Sequence, residues 1–254
     1  MFIYRHAGLS DRGIVRPTNE DRWTADPNLG LYLVVDGMGG HVAGGVAADI
    51  VAKTLPIQIK NQVVNASHVA VEEAGKRVQA VLCELNDALV KQTRGEFGLE
   101  GLGATFVMLL VWHDVGLIAH LGDSRAYLRR AGQLSLITSD HTVLQLLLDR
   151  GEVADSEARD HPARHQLTRY VGMLDSIPPD LHTISFQCGD SILLCSDGLS
   201  GSVTDHRLSE LIGTARDPGE ACRRLVAEAT SSGCYDNMTA LLVEVLPSTV
   251  ASVG

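Results

Sequence analysis

The stretch Thr105-Phe106-Val107-Met108-Leu109-Leu110-Val111-Trp112 is apolar at nearly every step, so a strand built from it is apolar on both faces. Such a strand must be buried on both sides, here between a partner sheet and a layer of helices. Outward from it, strand-like runs occur at 2–4, 31–35, 115–121, 126–129, 184–187, 191–195 and 238–245. Asn28-Leu29-Gly30 and Arg130-Ala131-Gly132 supply turn chemistry between neighbouring runs, which favours antiparallel hairpins over crossovers. Val71, Ala74, Val78, Val81, Leu85 and Leu89 recur at helical spacing and give a long helix one apolar stripe. A second helix is expected after Gly40 toward Leu55, and two more around Leu208, Leu211 and Ile212 and around Ala221, Leu225, Val226 and Ala229. Helices outside and two sheets inside make an α+β fold, a four-layer α-β-β-α sandwich of two antiparallel β-sheets flanked by helices.

Residues 139–174 break this rhythm. Val143, Leu144, Leu147 and Leu148 suggest one short helix, followed by charged residues and His161-Pro162, so the segment reads as an inserted flap. With no linker-like stretch and no internal repeat, one domain is expected over 1–247, with a short tail at 248–254. The 31 acidic side chains against 21 basic ones leave a net charge of -10, which argues against a nucleic-acid binder. The first ten residues lack the apolar run of a signal peptide, and no stretch approaches the ~20 apolar residues of a membrane span, so a soluble, cytoplasmic protein is expected. Cysteines 83, 188, 195, 222 and 234 are odd in number and contain no C-x-x-C pair, so they are expected to be reduced and mostly in the core.

Four carboxylates sit at the ends of apolar runs. Asp36 precedes Gly37-Met38-Gly39-Gly40, Asp197 precedes Gly198, Asp123 lies in Gly122-Asp123-Ser124, and Asp236-Asn237 comes just before 238–245. An isolated Asp-Gly is usually a turn, but convergent carboxylates repel one another and stay ionised together only with cations between them. Mg2+ and Mn2+ prefer oxygen ligands, and two such ions about 3.5 to 4 Å apart activate water and neutralise a phosphoryl group in an in-line displacement. The glycine run fits neither G-x-G-x-x-G nor a Walker loop, and its leading aspartate would repel a phosphate unless metal lay between. In Arg16-Pro17-Thr18-Asn19-Glu20-Asp21, the Arg16 fork suits two phosphate oxygens and Asp21 could hold a metal-bound water. His41 is a candidate proton donor to a leaving alkoxide, the alternative being a surface histidine near a helix start. His161 and His165 have i,i+4 spacing, but Pro162 between them argues against a regular helical zinc face.

The ordered set formed by Arg16 to Asp21, Val35 to His41, Gly122-Asp123-Ser124-Arg125, Ser196-Asp197-Gly198 and Asp236-Asn237 resembles the bacterial branch of the PPM family, the metal-dependent Ser/Thr protein phosphatases of type 2C. The likeness runs from about residue 9 to 245. It implies an α-β-β-α sandwich with two Mn2+ or Mg2+ ions. Asp36 would bridge both metals, Gly37 would offer its carbonyl, Asp197 and Asp236 would complete the second ion, and Asp21 would orient metal-bound water. Arg16 would bind the substrate phosphate and His41 would be the general acid, with direct attack by a metal-bridging hydroxide and no phosphoenzyme. Relatives often hold a third ion with the equivalents of Asp123 and Asp197. The flap segments Ser139-Asp140-His141-Thr142 and His161-Pro162-Ala163-Arg164 also resemble the family, but relatives usually carry Asn or Ser where this chain has His165, a candidate metal ligand or groove residue. The implied substrates are phosphoserine and phosphothreonine proteins, with a bacterial Ser/Thr kinase as partner, no nucleic acid or membrane, and a monomeric enzyme. Competing readings are a catalytically inactive phosphatase-like binding module and a two-metal phosphoesterase or nuclease.

Overall fold

The computed structural model describes residues 2–39, 43–66, 68–93, 102–175 and 178–248. Strands β1 (Phe2–Asp11), β2 (Asp21–Asp26) and β3 (Leu31–Met38) lead into helices α1 (Ala43–Gln62) and α2 (Val71–Thr93). Next come β4 (Gly103–Trp112), β5 (Val115–Leu121), β6 (Arg125–Arg130) and β7 (Gln133–Leu136), then α3 (Val143–Asp149) inside the flap. The chain closes with β8 (Asp180–Ser185), β9 (Ser191–Cys195), α4 (Asp197–Ser202), α5 (Asp205–Gly213), α6 (Pro218–Ser231) and β10 (Met238–Pro247).

Two five-stranded sheets result, ordered β1-β10-β9-β6-β7 and β2-β3-β4-β5-β8, with every pairing antiparallel. The two faces of β4 separate as its composition requires. Phe106, Met108 and Leu110 join Leu31, Leu33 and Val35 beneath α1 and α2. Val107 and Leu109 point the other way, with Tyr32 and Val34, onto Ile192, Leu194, Leu241 and Val243 of the second sheet. That sheet's outer face, through Tyr127, Leu193 and Leu242, packs on Leu208, Leu211, Leu225 and Val226 of α5 and α6. The four layers are therefore three apolar interfaces set by side-chain alternation along central strands.

The sequence-based strand at 184–187 is displaced: β8 spans Asp180–Ser185 and pairs with β5. The Gln187 N–H donates to Asp190 Oδ2 at 2.7 Å, which takes it out of the ladder. Strands β2 and β7 and helix α4 are additional to those expected from composition. Helix α1 continues through Pro56 to Gln62, beyond the Leu55 end expected for it. Cys195, Cys222 and Cys234 are buried as expected for core thiols, whereas Cys188 is exposed at the 189–190 turn. Among the described residues no helix is long and apolar enough to cross a membrane. Residues 249–254, most of the expected tail, lie outside the described residues.

Candidate active site

The acidic residues meet at one end of the sandwich. Antiparallel register places Asp21 of β2 opposite Asp36 of β3, and Asp36 opposite Thr105 of β4. Asp123 follows β5, Asp197 opens α4 just past β9, and Asp236 comes immediately before β10. Arg16, Glu20, Asp36, Gly37, Asp123, Asp197 and Asp236 all line one cleft of about 1060 Å3, joined by Arg164 and His165 from the flap. A smaller cavity of about 270 Å3 beneath the flap shares Asp123, Arg164, His165 and Asp197 with it. Asp21 does not line the cleft; it is only 2% exposed and lies under the floor. His41 lies outside the described residues.

Two glycines permit this convergence through their lack of a side chain. A Cβ at Gly37 would lie 2.1 Å from the Gly44 carbonyl oxygen, so the end of β3 can approach the start of α1 only with glycine there. A Cβ at Gly198 would lie 2.0 Å from the Asn237 carbonyl oxygen, so the same holds where α4 meets the loop before β10. The Asp-Gly pairs therefore mark close backbone contacts, and neither glycine has the positive φ that a turn reading supposes.

Several polar residues with no assigned role in the sequence hold the site. Ser196 and Thr239 each donate a hydroxyl hydrogen bond of 2.7 Å to Asp21 Oδ2, and the Thr239 N–H donates to Ser196 Oγ at 2.9 Å. Asn237 donates to the carbonyls of Arg12 and Thr18 at 2.9 Å and accepts from the Glu20 N–H at 2.8 Å, which ties the Arg16 loop to β10. Arg16 itself is half exposed and pairs with Asp236 Oδ2 at 2.6 Å. The flap is anchored by Arg125, which holds both oxygens of Asp140 at 2.8 and 2.7 Å. At the flap base the Gly122 N–H donates to His141 Nδ1 at 3.0 Å, so the opposite nitrogen carries the proton and faces Asp180 at 3.1 Å. Ser196 could be sought beside Asp197 in sequence, but Thr239 is indistinguishable there from any other strand threonine.

The cluster is electrostatically incomplete by itself. Burial above all, then the neighbouring carboxylates, push Asp36 well above the ordinary carboxylate range, and burial with Asp197 does the same to Asp123. Burial raises Asp21 to about 7 despite its two hydroxyl donors. Asp197 differs: burial opposes its charge, but His165 above all, with Asp36 as a hydrogen-bonding neighbour and the Arg164 charge, outweighs that and holds it below the usual range. Asp21 Oδ1 and Asp197 Oδ1 are both buried without a hydrogen-bond partner. Unpartnered buried carboxylate oxygens are costly. A set of oxygen donors with excess negative charge and orphaned lone pairs fits hard divalent cations.

An α-β-β-α sandwich whose buried carboxylates converge on one open cleft, with a guanidinium at its mouth, defines a metal-dependent hydrolase of phosphoryl groups. The family model described as Protein phosphatase 2C matches residues 17–246. The chain is 34% identical over 238 residues to the serine/threonine phosphatase stp of Listeria monocytogenes, covering 92% of this chain and 93% of that one. It is 36% identical over 249 residues to the serine/threonine protein phosphatase PstP of Mycobacterium tuberculosis, covering 96% of this chain and 45% of PstP. Among solved structures, the catalytic domain of PstP in complex with two manganese ions superposes with a TM-score of 0.83 at 32% identity, covering 97% of this chain and 100% of that one. The chain belongs to the protein phosphatase 2C family and is a metal-dependent protein serine/threonine phosphatase.

Proposed function

We propose that the cleft hydrolyses phosphoserine and phosphothreonine in proteins, with Mn2+ or Mg2+ held by Asp36, the Gly37 carbonyl, Asp197 and Asp236. The observation that carries this reading is the convergence of these groups on one cleft with a buried carboxylate oxygen left unpartnered. When bound, the cations supply charge stabilisation at the phosphoryl oxygens and activate water. Asp21, beneath the floor and held through Oδ2 by Ser196 and Thr239, is assigned the orienting of water at the centre, a role supported by its other oxygen being buried without a partner. Arg16 is assigned the fork for two substrate phosphate oxygens, a role supported by its position in the cleft beside Asp236. His41 is assigned the proton that the departing serine or threonine oxygen requires. Asp123 is assigned to a further cation together with Asp197.

The catalytic unit in this reading is 1–247, because β1 and β10, at its two ends, are paired neighbours in one sheet. Its partners are phosphorylated proteins and a bacterial Ser/Thr kinase whose action it reverses, and it acts as a monomer in the cytoplasm. The two-metal nuclease and small-molecule readings share the metal chemistry, so the test is a comparison of rates on a phosphopeptide, a free nucleotide and DNA with Mn2+ present. The phosphopeptide is expected to turn over fastest. Faster hydrolysis of nucleotide or DNA would refute the assignment.

A further inference from the structure

Nine large apolar side chains stand exposed among the described residues. Such residues scattered singly are ordinary, and six of the nine are scattered, over β1, β2, α1, β7, α3 and position 174. The other three are Ile14, Val15 and Tyr235, which are 71%, 57% and 79% exposed. Val15 adjoins Arg16 in sequence and Tyr235 adjoins Asp236, the two partners of the 2.6 Å ion pair at the cleft. Tyr235 lines the cleft, and Ile14 and Val15 lead directly into its lining residues Arg16, Pro17 and Thr18. The loop that displays Ile14 and Val15 is tied down on both sides. Asn237 donates to the carbonyls of Arg12 and Thr18 at 2.9 Å. Gly13, at a φ of 72°, packs so closely that a Cβ there would lie 2.6 Å from the Asp236 carbonyl oxygen.

We propose that Ile14, Val15 and Tyr235 form an apolar rim that selects phosphoprotein segments carrying apolar side chains next to the phosphorylated residue. The inference rests on the phosphatase reading and on Arg16 as the phosphate fork. Consecutive Cα atoms are about 3.8 Å apart, so a phosphoresidue held at Arg16 brings its two neighbours in the chain across the residues beside Arg16 and Asp236. None of the three side chains belongs to the apolar clusters of the sandwich. Folding therefore leaves their apolar area in water, and a bound segment with matching side chains covers it. Ile and Val have a stiff first torsion, and their loop is already clamped, so little conformational freedom remains to be lost on binding. The cleft's Arg207 offers no competing attraction for acidic neighbours, because it pairs with Glu210 at 2.8 Å and Glu228 at 2.9 Å.

The test uses the full chain with Mn2+ and two phosphothreonine peptides of equal charge, one with Leu and one with Ser on both sides of the phosphoresidue. The quantity read is the ratio of their kcat/KM values, from which any loss common to both peptides cancels. The wild type is expected to favour the Leu peptide about 10-fold. The triple variant Ile14→Ser, Val15→Ser, Tyr235→Ser is expected to bring the ratio to about 1, and Ile57→Ser, an exposed site on α1, to leave it as in the wild type. The three single variants are measured beside the triple, and each is expected to lower the ratio in part. A wild type that turns over both peptides equally, or a preference that survives in the triple variant, overturns the inference and leaves the phosphatase reading standing. If the triple variant does not fold, a preference undiminished in all three single variants overturns it. A wild-type dimer in sedimentation that the triple variant loses, with no peptide preference, assigns the rim to a second copy of the chain and likewise overturns it. A wild type that hydrolyses neither peptide overturns the phosphatase reading itself.

Discussion

Gly198→Ala probes whether the site depends on the contact between α4 and the loop before β10. The added Cβ would sit 2.0 Å from the Asn237 carbonyl oxygen, about 1.4 Å short of the 3.4 Å at which ordinary contact begins. Asn237 cannot easily yield, because its side chain bonds Arg12, Thr18 and Glu20. The start of α4 must move instead, and it carries Asp197 away from Asp236. Overpacking of this kind costs about 1 to 3 kcal/mol of stability. Misplacing catalytic groups by about 1 Å costs on the order of 100-fold in rate. The expected outcome is a folded protein with a melting temperature a few degrees lower and kcat/KM on a phosphopeptide reduced about 100-fold at saturating Mn2+. Activity within about threefold of wild type, with a melting temperature unchanged, would show that this contact does not set the geometry.

Further predictions concern the supports of the site and the core. Thr239→Val removes one of the two hydroxyl donors to buried Asp21 and is expected to destabilise the chelated protein by about 1 to 3 kcal/mol in urea denaturation at neutral pH; an unchanged midpoint would contradict the role given to Thr239. His120 is fully buried, and burial lowers its pKa from 6.5 to about 4. The unfolded chain therefore binds a proton that the folded chain refuses, so this group leaves stability unaffected above about pH 6.5 and lowers it by about 3 kcal/mol in all as pH falls to 4. His120→Gln should flatten that acid limb, and an identical limb in the variant would rule His120 out as its source. Phe106→Ala and Val107→Ala face opposite layers and should each destabilise, by about 3 to 5 and at least about 1 kcal/mol respectively; a neutral Val107→Ala would contradict burial of both faces of β4.

What composition reveals about this fold follows from where each strand lies. Strands β3, β4, β5, β9 and β10 are covered on both faces and read as continuous apolar runs. The strands missed or displaced, β2, β7 and β8, are sheet edges, with sequences such as DRWTAD and QLSL that carry polar side chains toward solvent. The carboxylates Asp36, Asp123, Asp197 and Asp236 were legible because each ends or precedes such a run. Ser196, Thr239 and Asn237 were not, because their roles come from register and loop contacts between residues more than 170 positions apart in sequence. The flap was visible as an interruption of pattern, but its anchorage through Arg125 to Asp140 and through His141 to Gly122 appears only in three dimensions.

The central claim is that the converging carboxylates work only with divalent cations between them. Its most direct test is phosphate release from a phosphothreonine peptide by protein stripped with EDTA and then titrated with Mn2+, alongside Asp36→Ala. The wild type should be inactive when stripped and should recover as Mn2+ is added, while Asp36→Ala stays inactive at every concentration. Full activity in the stripped wild type, or recovery by Asp36→Ala, would contradict the account.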